Sequence, residues 1–205
     1  MLEQKWASPE DFATLFQYFW HRDFPMDEKK AIGARRVDWT IHIGIVVRNI
    51  ADLMGLVTRF ESGGRKDAVL RSTEGDEIAI EWEWEDILGK GGKLKGNELG
   101  KLQDPNEVWR PNDKEGLKYA VLITYTKESD EEARIVYDEV CKIWKAPWPL
   151  LLILIDFGKF EKLSSRRGFR KIRMCKFNEG EYKELRKVKA FPWEIAGTRW
   201  SYELK

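Results

Sequence analysis

The sequence predicts an α/β fold: a central mixed β-sheet flanked by helices, with an N-terminal helix and a basic C-terminal extension. Three observations carry this. Long stretches with apolar residues at helical spacing give way to short stretches alternating with period two. A turn-rich segment joins two such alternating stretches as a hairpin. The run Leu150 to Asp156 is apolar without interruption before its last residue, as in a strand covered on both faces.

The elements follow in chain order. Ser8 is placed to cap a helix, Pro9 suits its first position, and Glu10 and Asp11 follow in the first turn. Phe12, Leu15, Phe16, Phe19 and Trp20 form its buried stripe. A second helix is expected over residues 37–61, where Val46, Ile50, Leu53, Met54, Val57 and Phe60 keep helical spacing and Ser62-Gly63-Gly64 closes it. Strands from Asp67 and from Ile78 to Trp84 flank a turn near Gly75. A Gly- and Lys-rich stretch, 86–117, holds a short helix around Asn97–Gln103. Tyr119–Tyr125 is a buried strand, Asp130–Lys145 a helix, and Leu150–Asp156 the apolar strand. Residues 1–156 make the core, and 157–205 a β-leaning extension packed on the same domain.

Composition narrows the chemistry. The 205 residues are 42% hydrophobic and 35% charged, with ten Trp, which is too aromatic for a disordered chain and too charged for a membrane protein. The most apolar long window, Ile41–Val57, is broken by His42, Arg48, Asn49 and Asp52, so no spanning helix is expected. The N-terminus lacks a secretion signal, which makes the cytoplasm the default compartment. Two cysteines and two histidines are too few for a disulfide framework or a His-rich metal site, so any metal must lean on carboxylates. No Walker loop, dinucleotide fingerprint or nucleophile elbow occurs.

The strand Ile78–Trp84 is the most informative stretch. Its alternation puts Ile78, Ile80, Trp82 and Trp84 on one face, and Ala79, Glu81 and Glu83 on the other. With the turn near Gly75, partner numbers sum to about 150, so Asp67 should lie opposite Glu83 or a neighbour. Three converging carboxylates repel one another and need a cation. Mg²⁺ or Mn²⁺ would suit an all-oxygen set, and Arg65, Lys66 or Arg71 are the alternative compensators.

This order, helix, strand with Asp67, strand with Glu81-Trp82-Glu83, strand, helix, strand, resembles the PD-(D/E)xK nuclease superfamily over about residues 37–156. The resemblance implies a restriction-endonuclease-like core, α-β-β-β-α-β, that hydrolyses phosphodiesters in DNA with Mg²⁺. It implies that Asp67 and Glu81 hold metal and that Glu83 is a ligand or orients the attacking water. Glu83 stands where the family usually has Lys, and Lys66 where it has Pro. The preceding helix often adds an acidic ligand in this family, and Glu61, ahead of Asp52, is the candidate here. Lys142 is a candidate for the missing cation. Two other functions fit the same residues: a nucleic-acid-binding module that has lost cleavage, and a structural or protein-interaction domain.

Net charge is only +1, yet residues 157–189 hold twelve Lys/Arg against four Glu. This segregation suits a polyanion held near an acidic centre. Arg166, Arg167, Arg170, Lys171, Arg173 and Lys176 are the candidate phosphate contacts, with Phe169 and Phe177 interleaved. DNA is the expected partner, and a homodimer would suit double-strand cutting.

Overall fold

The computed structural model describes residues 8–23, 36–62, 66–89, 92–95, 97–104, 117–127, 129–160 and 163–191. Helices are α1 (Pro9–Arg22), α2 (Arg36–Leu53), α3 (Glu98–Gln103) and α4 (Asp130–Ile143). Strands are β1 (Val57–Ser62), β2 (Lys66–Arg71), β3 (Asp76–Asp86), β4 (Tyr119–Lys127), β5 (Leu150–Phe160), β6 (Leu163–Asn178) and β7 (Glu181–Lys189). They form one open seven-stranded sheet in sequence order. The β3–β4 and β4–β5 pairs are parallel and the other four antiparallel, so the sheet is mixed.

The period of two divides the interior into two cores. Ile78, Ile80, Val121, Ile123, Ile153 and Ile155 point to one face, where Phe12, Phe16 and Trp20 of α1 and Ile43, Val47 and Ile50 of α2 cover them. Ala79, Ala120, Leu122, Leu152 and Leu154 point to the other, beneath Leu99 and Leu102 of α3 and Val136 and Val140 of α4. Both faces of β4 and β5 are therefore dry, which explains their unbroken apolar sequences.

Helix α1 begins as expected. Ser8 Oγ accepts from Asp11 N, and Asp11 returns a carboxylate oxygen to Ser8 N, a closed capping box. The second helix corrects the sequence expectation, because it stops at Leu53 and residues 57–62 form β1. Gly55 takes φ +68 and donates to Asp52 O, while Leu56 N donates to Ala51 O, the paired bonds that close a helix through a left-handed glycine. Val57 and Phe60 continued the helical spacing by coincidence; both are exposed on the edge strand.

The β2–β3 hairpin turns through Ser72–Gly75, and its ladder pairs Ala68 with Ile80. Partner numbers sum to 148, so Glu81 rather than Glu83 is next in register opposite Asp67. The C-terminal segment, unpaired in the sequence reading, continues the sheet: β6 pairs with β5, and Glu179 and Gly180, both at positive φ, turn the chain into β7.

Candidate functional site

Asp67 and Glu81 meet where β3 runs on past the start of β2. Beyond the Ala68–Ile80 pair the ladder lacks a strand partner for Trp82 N, and Asp67 Oδ2 accepts that N–H at 2.7 Å. A side chain thus completes the edge of the hairpin, which fixes the Asp67 carboxylate beside β3. Glu81 projects from the adjacent position onto the face of α3 and α4 and is almost wholly buried, at 1% exposure. Trp82 and Trp84 point the opposite way, against the core under α1 and α2, as the alternation predicts.

The compensating cation comes from a residue that the sequence reading passed over. Lys101 of α3 places Nζ 3.1 Å from Glu81 Oε2 and 3.9 Å from Glu98 Oε1. Glu81 Oε1 is buried and accepts no hydrogen bond from any described residue. Burial, then the neighbouring Asp67 charge, pushes the Glu81 carboxyl up to about 7, against the opposing pull of Lys101. Burial also raises Asp67, opposed by the Trp82 N–H and Lys101 and assisted by Glu83. Burial works to lower the Lys101 ammonium, but the Glu81 hydrogen bond and the charges of Glu81, Glu98 and Asp67 raise it overall.

Asp67, Glu81, Glu83, Glu98, Lys101 and Thr40 line a polar pocket of about 150 Å³ together with Trp82 and Trp84. Four carboxylates face one ammonium, so the pocket is anionic whenever more than one carboxyl is ionised. Glu83 lies on its wall but turns back, its Oε1 accepting from Trp84 N at 2.8 Å. Among the described residues no three His, Cys, Asp or Glu side chains group closely enough to hold an ion by themselves. The structure therefore brings Asp67 and Glu81 together and leaves Glu83 at the rim.

Other candidates fall elsewhere. Glu61 belongs to β1, not to a helix end, is exposed at φ +48, and does not line the pocket. Arg71 pairs with Asp76, and Lys142 pairs with Glu139 on the outer surface of α4. Arg65 lies outside the described residues, as do the side chains of Arg166 and Arg167 in β6.

Arg173 is a correction to the expected phosphate surface. It is 3% exposed, and its guanidinium grips Asp156 through Nε at 2.8 Å and Nη2 at 2.7 Å. Nη2 also lies 2.6 Å from Asp130, which Lys187 reaches at 2.8 Å. Those two hydrogen bonds hold the Asp130 carboxyl down at about 2. Arg173 is an internal counter-ion. Lys176 reaches Glu10 of α1 and is likewise spoken for.

Two basic residues take a different place. Lys171 and Lys189 stand directly opposite each other on β6 and β7. Ile172 faces the core under α1 and α2, so Lys171 lies on the face of α3 and α4, the face that carries Glu81. The row Asp86–Tyr125–Ile155–Ile172–Val188 crosses the sheet, and the two lysines stand one residue beyond it. Lys171 is three strands from β3 and Lys189 four, and their row runs through Asp156 and Thr126, four residues along from the Leu122–Leu152–Cys175 row that holds Glu81.

Sequence alone held a usable sign of Lys101: Glu98 and Lys101 sit at i, i+3 on the short helix expected around Asn97–Gln103. Nothing local linked that helix to Glu81, which is 20 residues earlier. No helix among the described residues is long and apolar enough to cross a membrane. No family model, curated protein or solved structure matches the chain.

Proposed function

We propose that the chain is a Mg²⁺-dependent nuclease of the restriction-endonuclease-like kind that hydrolyses phosphodiesters in DNA, with Asp67 and Glu81 as its metal-holding pair. One observation carries this: two adjacent carboxylates, Glu81 buried and Asp67 half-buried, meet at the end of a hairpin, and the Glu81 Oε1 atom is left without a described partner. Burying such a group costs free energy, and a hard cation bound through oxygen would offset it. The donor set fits. Mg²⁺ is commonly held by one or two carboxylates, with waters and substrate phosphate completing its shell, so a third close carboxylate is not required. The order α2, β2, β3, β4, α4, β5 agrees with the family's element order, and β1 is an added strand before Asp67.

When bound, the metal would polarise the phosphoryl oxygen and lower the pKa of a coordinated water. The protein's own part is positioning. Asp67, pinned by the Trp82 N–H, sets the angle between the two carboxylates. Lys101 supplies the ammonium that family members usually carry two residues after the Glu, where Glu83 stands here. From α3 it can orient a water or neutralise charge at a phosphoryl oxygen. Lys171 and Lys189 support DNA as the substrate. Two lysines paired in register on one face are a place where a backbone phosphate can be met.

The test is Glu81→Gln and Asp67→Asn in the full chain, assayed with Mg²⁺ on linear and supercoiled DNA. We expect cleavage to fall at least about 100-fold while DNA affinity stays within about threefold. Undiminished turnover in both variants removes the assignment. The Lys101–Glu81 contact favours a second reading, a binding module in which lysine has replaced the metal. That reading is upheld if wild-type protein binds DNA and never cuts it.

A further inference from the structure

A second cavity adjoins the acidic pocket, sharing Glu83 and Glu98 with it as common walls. After β3 the chain folds back, with Lys95 N donating to Ile87 O and Gly89 N to Lys93 O, and this small hairpin closes one side. The floor is apolar, made by Ile87 with Leu99 of α3 and Leu122 of β4, all at least nine-tenths buried. The rim carries the carboxylates of Glu83, Asp86 and Glu98, with Lys95 of the small hairpin and Thr124 of β4 beside them. The volume is about 160 Å³. Drug-sized sites run from roughly 300 to 1,000 Å³, so the space suits one planar ring system and not a whole nucleotide.

The lining decides what can enter. Three carboxylates against the single ammonium of Lys95 leave the lining net negative, which disfavours a phosphate and favours a group that brings N–H donors and a flat apolar face. Ionised carboxylates only accept hydrogen bonds, so carbonyl-rich rings are penalised by unpaired oxygens facing oxygens. Among nucleobases, guanine presents two neighbouring N–H donors on its pairing edge, which one carboxylate can take in bidentate fashion. Cytosine and adenine offer a single exocyclic amino group there, and thymine faces the carboxylate with two carbonyls flanking one N–H.

We infer that this cavity is a base-recognition pocket. It takes the base of the nucleotide adjoining the phosphate bound at Asp67 and Glu81 and selects N–H-donating bases, guanine first and thymine last. The inference rests on the nuclease reading for the identity of the neighbouring phosphate. The shared walls give it its place: a base seated between Glu83 and Glu98 leaves its own phosphodiester next to Lys101.

The experiment separates the two claims by using nucleosides, which carry no phosphate. Methyl-labelled wild-type protein is titrated with guanosine and with thymidine and followed by NMR. The expected result is movement of the Ile87, Leu99 and Leu122 methyl signals with guanosine, at an affinity about tenfold or more above that for thymidine. Leu99→Phe, which fills the floor, should abolish the shifts, and Glu98→Gln should narrow the guanosine preference if the Phe variant does not fold. Cut sites mapped on a random-sequence single strand, whose pairing edges are free, give the second readout, with guanine enriched beside the cut. Cleavage without base bias and without guanosine shifts overturns the pocket and leaves the nuclease standing. Guanosine shifts at these methyls in a protein that never cuts uphold the pocket and overturn the nuclease.

Discussion

Two buried carboxylates lie on the same face of the sheet, and they are held in opposite ways. Asp156 on β5 is wholly buried and receives three contacts from the Arg173 guanidinium across the strand pair. Glu81 on β3 is as deeply buried, yet it has a single lysine at 3.1 Å and one oxygen with no described partner. A planar fork fits a carboxylate and satisfies both oxygens, whereas an ammonium on a flexible stem satisfies one. The difference separates structure from function. A carboxylate closed by arginine has nothing left to bind with, and one left half-open retains an acceptor for a proton or a cation. Charge segregation along the chain did not distinguish these cases, because Arg173 and Lys171 belong to the same basic run and only Arg173 is consumed internally.

The largest expected effect comes from breaking the closed pair. Arg173→Leu takes the guanidinium away from the buried Asp156 and from Asp130, so stability should fall by about 3–5 kcal/mol, the usual cost of removing one partner from a buried ion pair. Urea unfolding measures it. The double variant Arg173→Leu with Asp156→Leu should recover much of the loss, since two apolar groups leave no charge behind. A loss below about 1 kcal/mol in the single variant would mean that water reaches Asp156, and the contrast with Glu81 would lose its basis.

The half-open carboxylate should reveal itself through pH. Its folded-state pKa is raised from 4.5 to about 7, so the folded protein holds this proton more tightly than the unfolded chain. The contribution is fully present below pH 4.5 and is lost as pH rises through about 7. A displacement of this size corresponds to about 3 kcal/mol, an upper figure because Lys101 and local water relax the site. Asp67, also raised, adds in the same direction. Denaturation between about pH 4 and pH 8 should show stability declining in the wild type, and the decline should shrink in Glu81→Gln. Parallel curves would mean that Glu81 is ionised throughout and fully compensated.

Much of this arrangement was legible in the sequence where a local rule governs it. The helix cap at Ser8 and the split of Trp82 and Trp84 from Glu81 and Glu83 each follow from spacing within one element. What failed depended on competition or on distance. The helix over 37–61 lost its last turn and a half to β1 because the Gly55 signal was outweighed by an accidental apolar period, and Glu61 went with it. The register is 148 rather than 150 because the turn spans Ser72–Gly75 and is centred before Gly75; the shift between Leu70 and Arg71 then moves the partner sum only from 147 to 148. Lys101 and Arg173 gained their roles only through contacts 20 and 17 residues distant in sequence, which no periodicity reports.

The smallest expected effect on stability is the sharpest test of the half-open site. The Lys101 side chain is 32% exposed, and the Glu81 carboxyl, already raised to about 7, can take up a proton when the ammonium is removed, so Lys101→Met should change the unfolding free energy by less than about 1 kcal/mol. Its effect on metal should be larger and of opposite sign. Without the ammonium, both Glu81 oxygens become available and the pocket gains negative charge, so Mg²⁺ should raise the melting midpoint of the variant more than that of the wild type. A ligand bound only to the folded state stabilises it by about 2.7 kcal/mol at a hundredfold excess over Kd, which sets the scale of the shift. DNA cleavage should move the other way, falling about 10-fold or more, because the group that orients water or meets phosphoryl charge is gone. If metal stabilisation and turnover both fall, Lys101 shapes the site and does not compete for it. If metal stabilisation rises while turnover holds, Lys101 is a resting counter-ion, and the water-orienting role passes to Glu83 on the same wall.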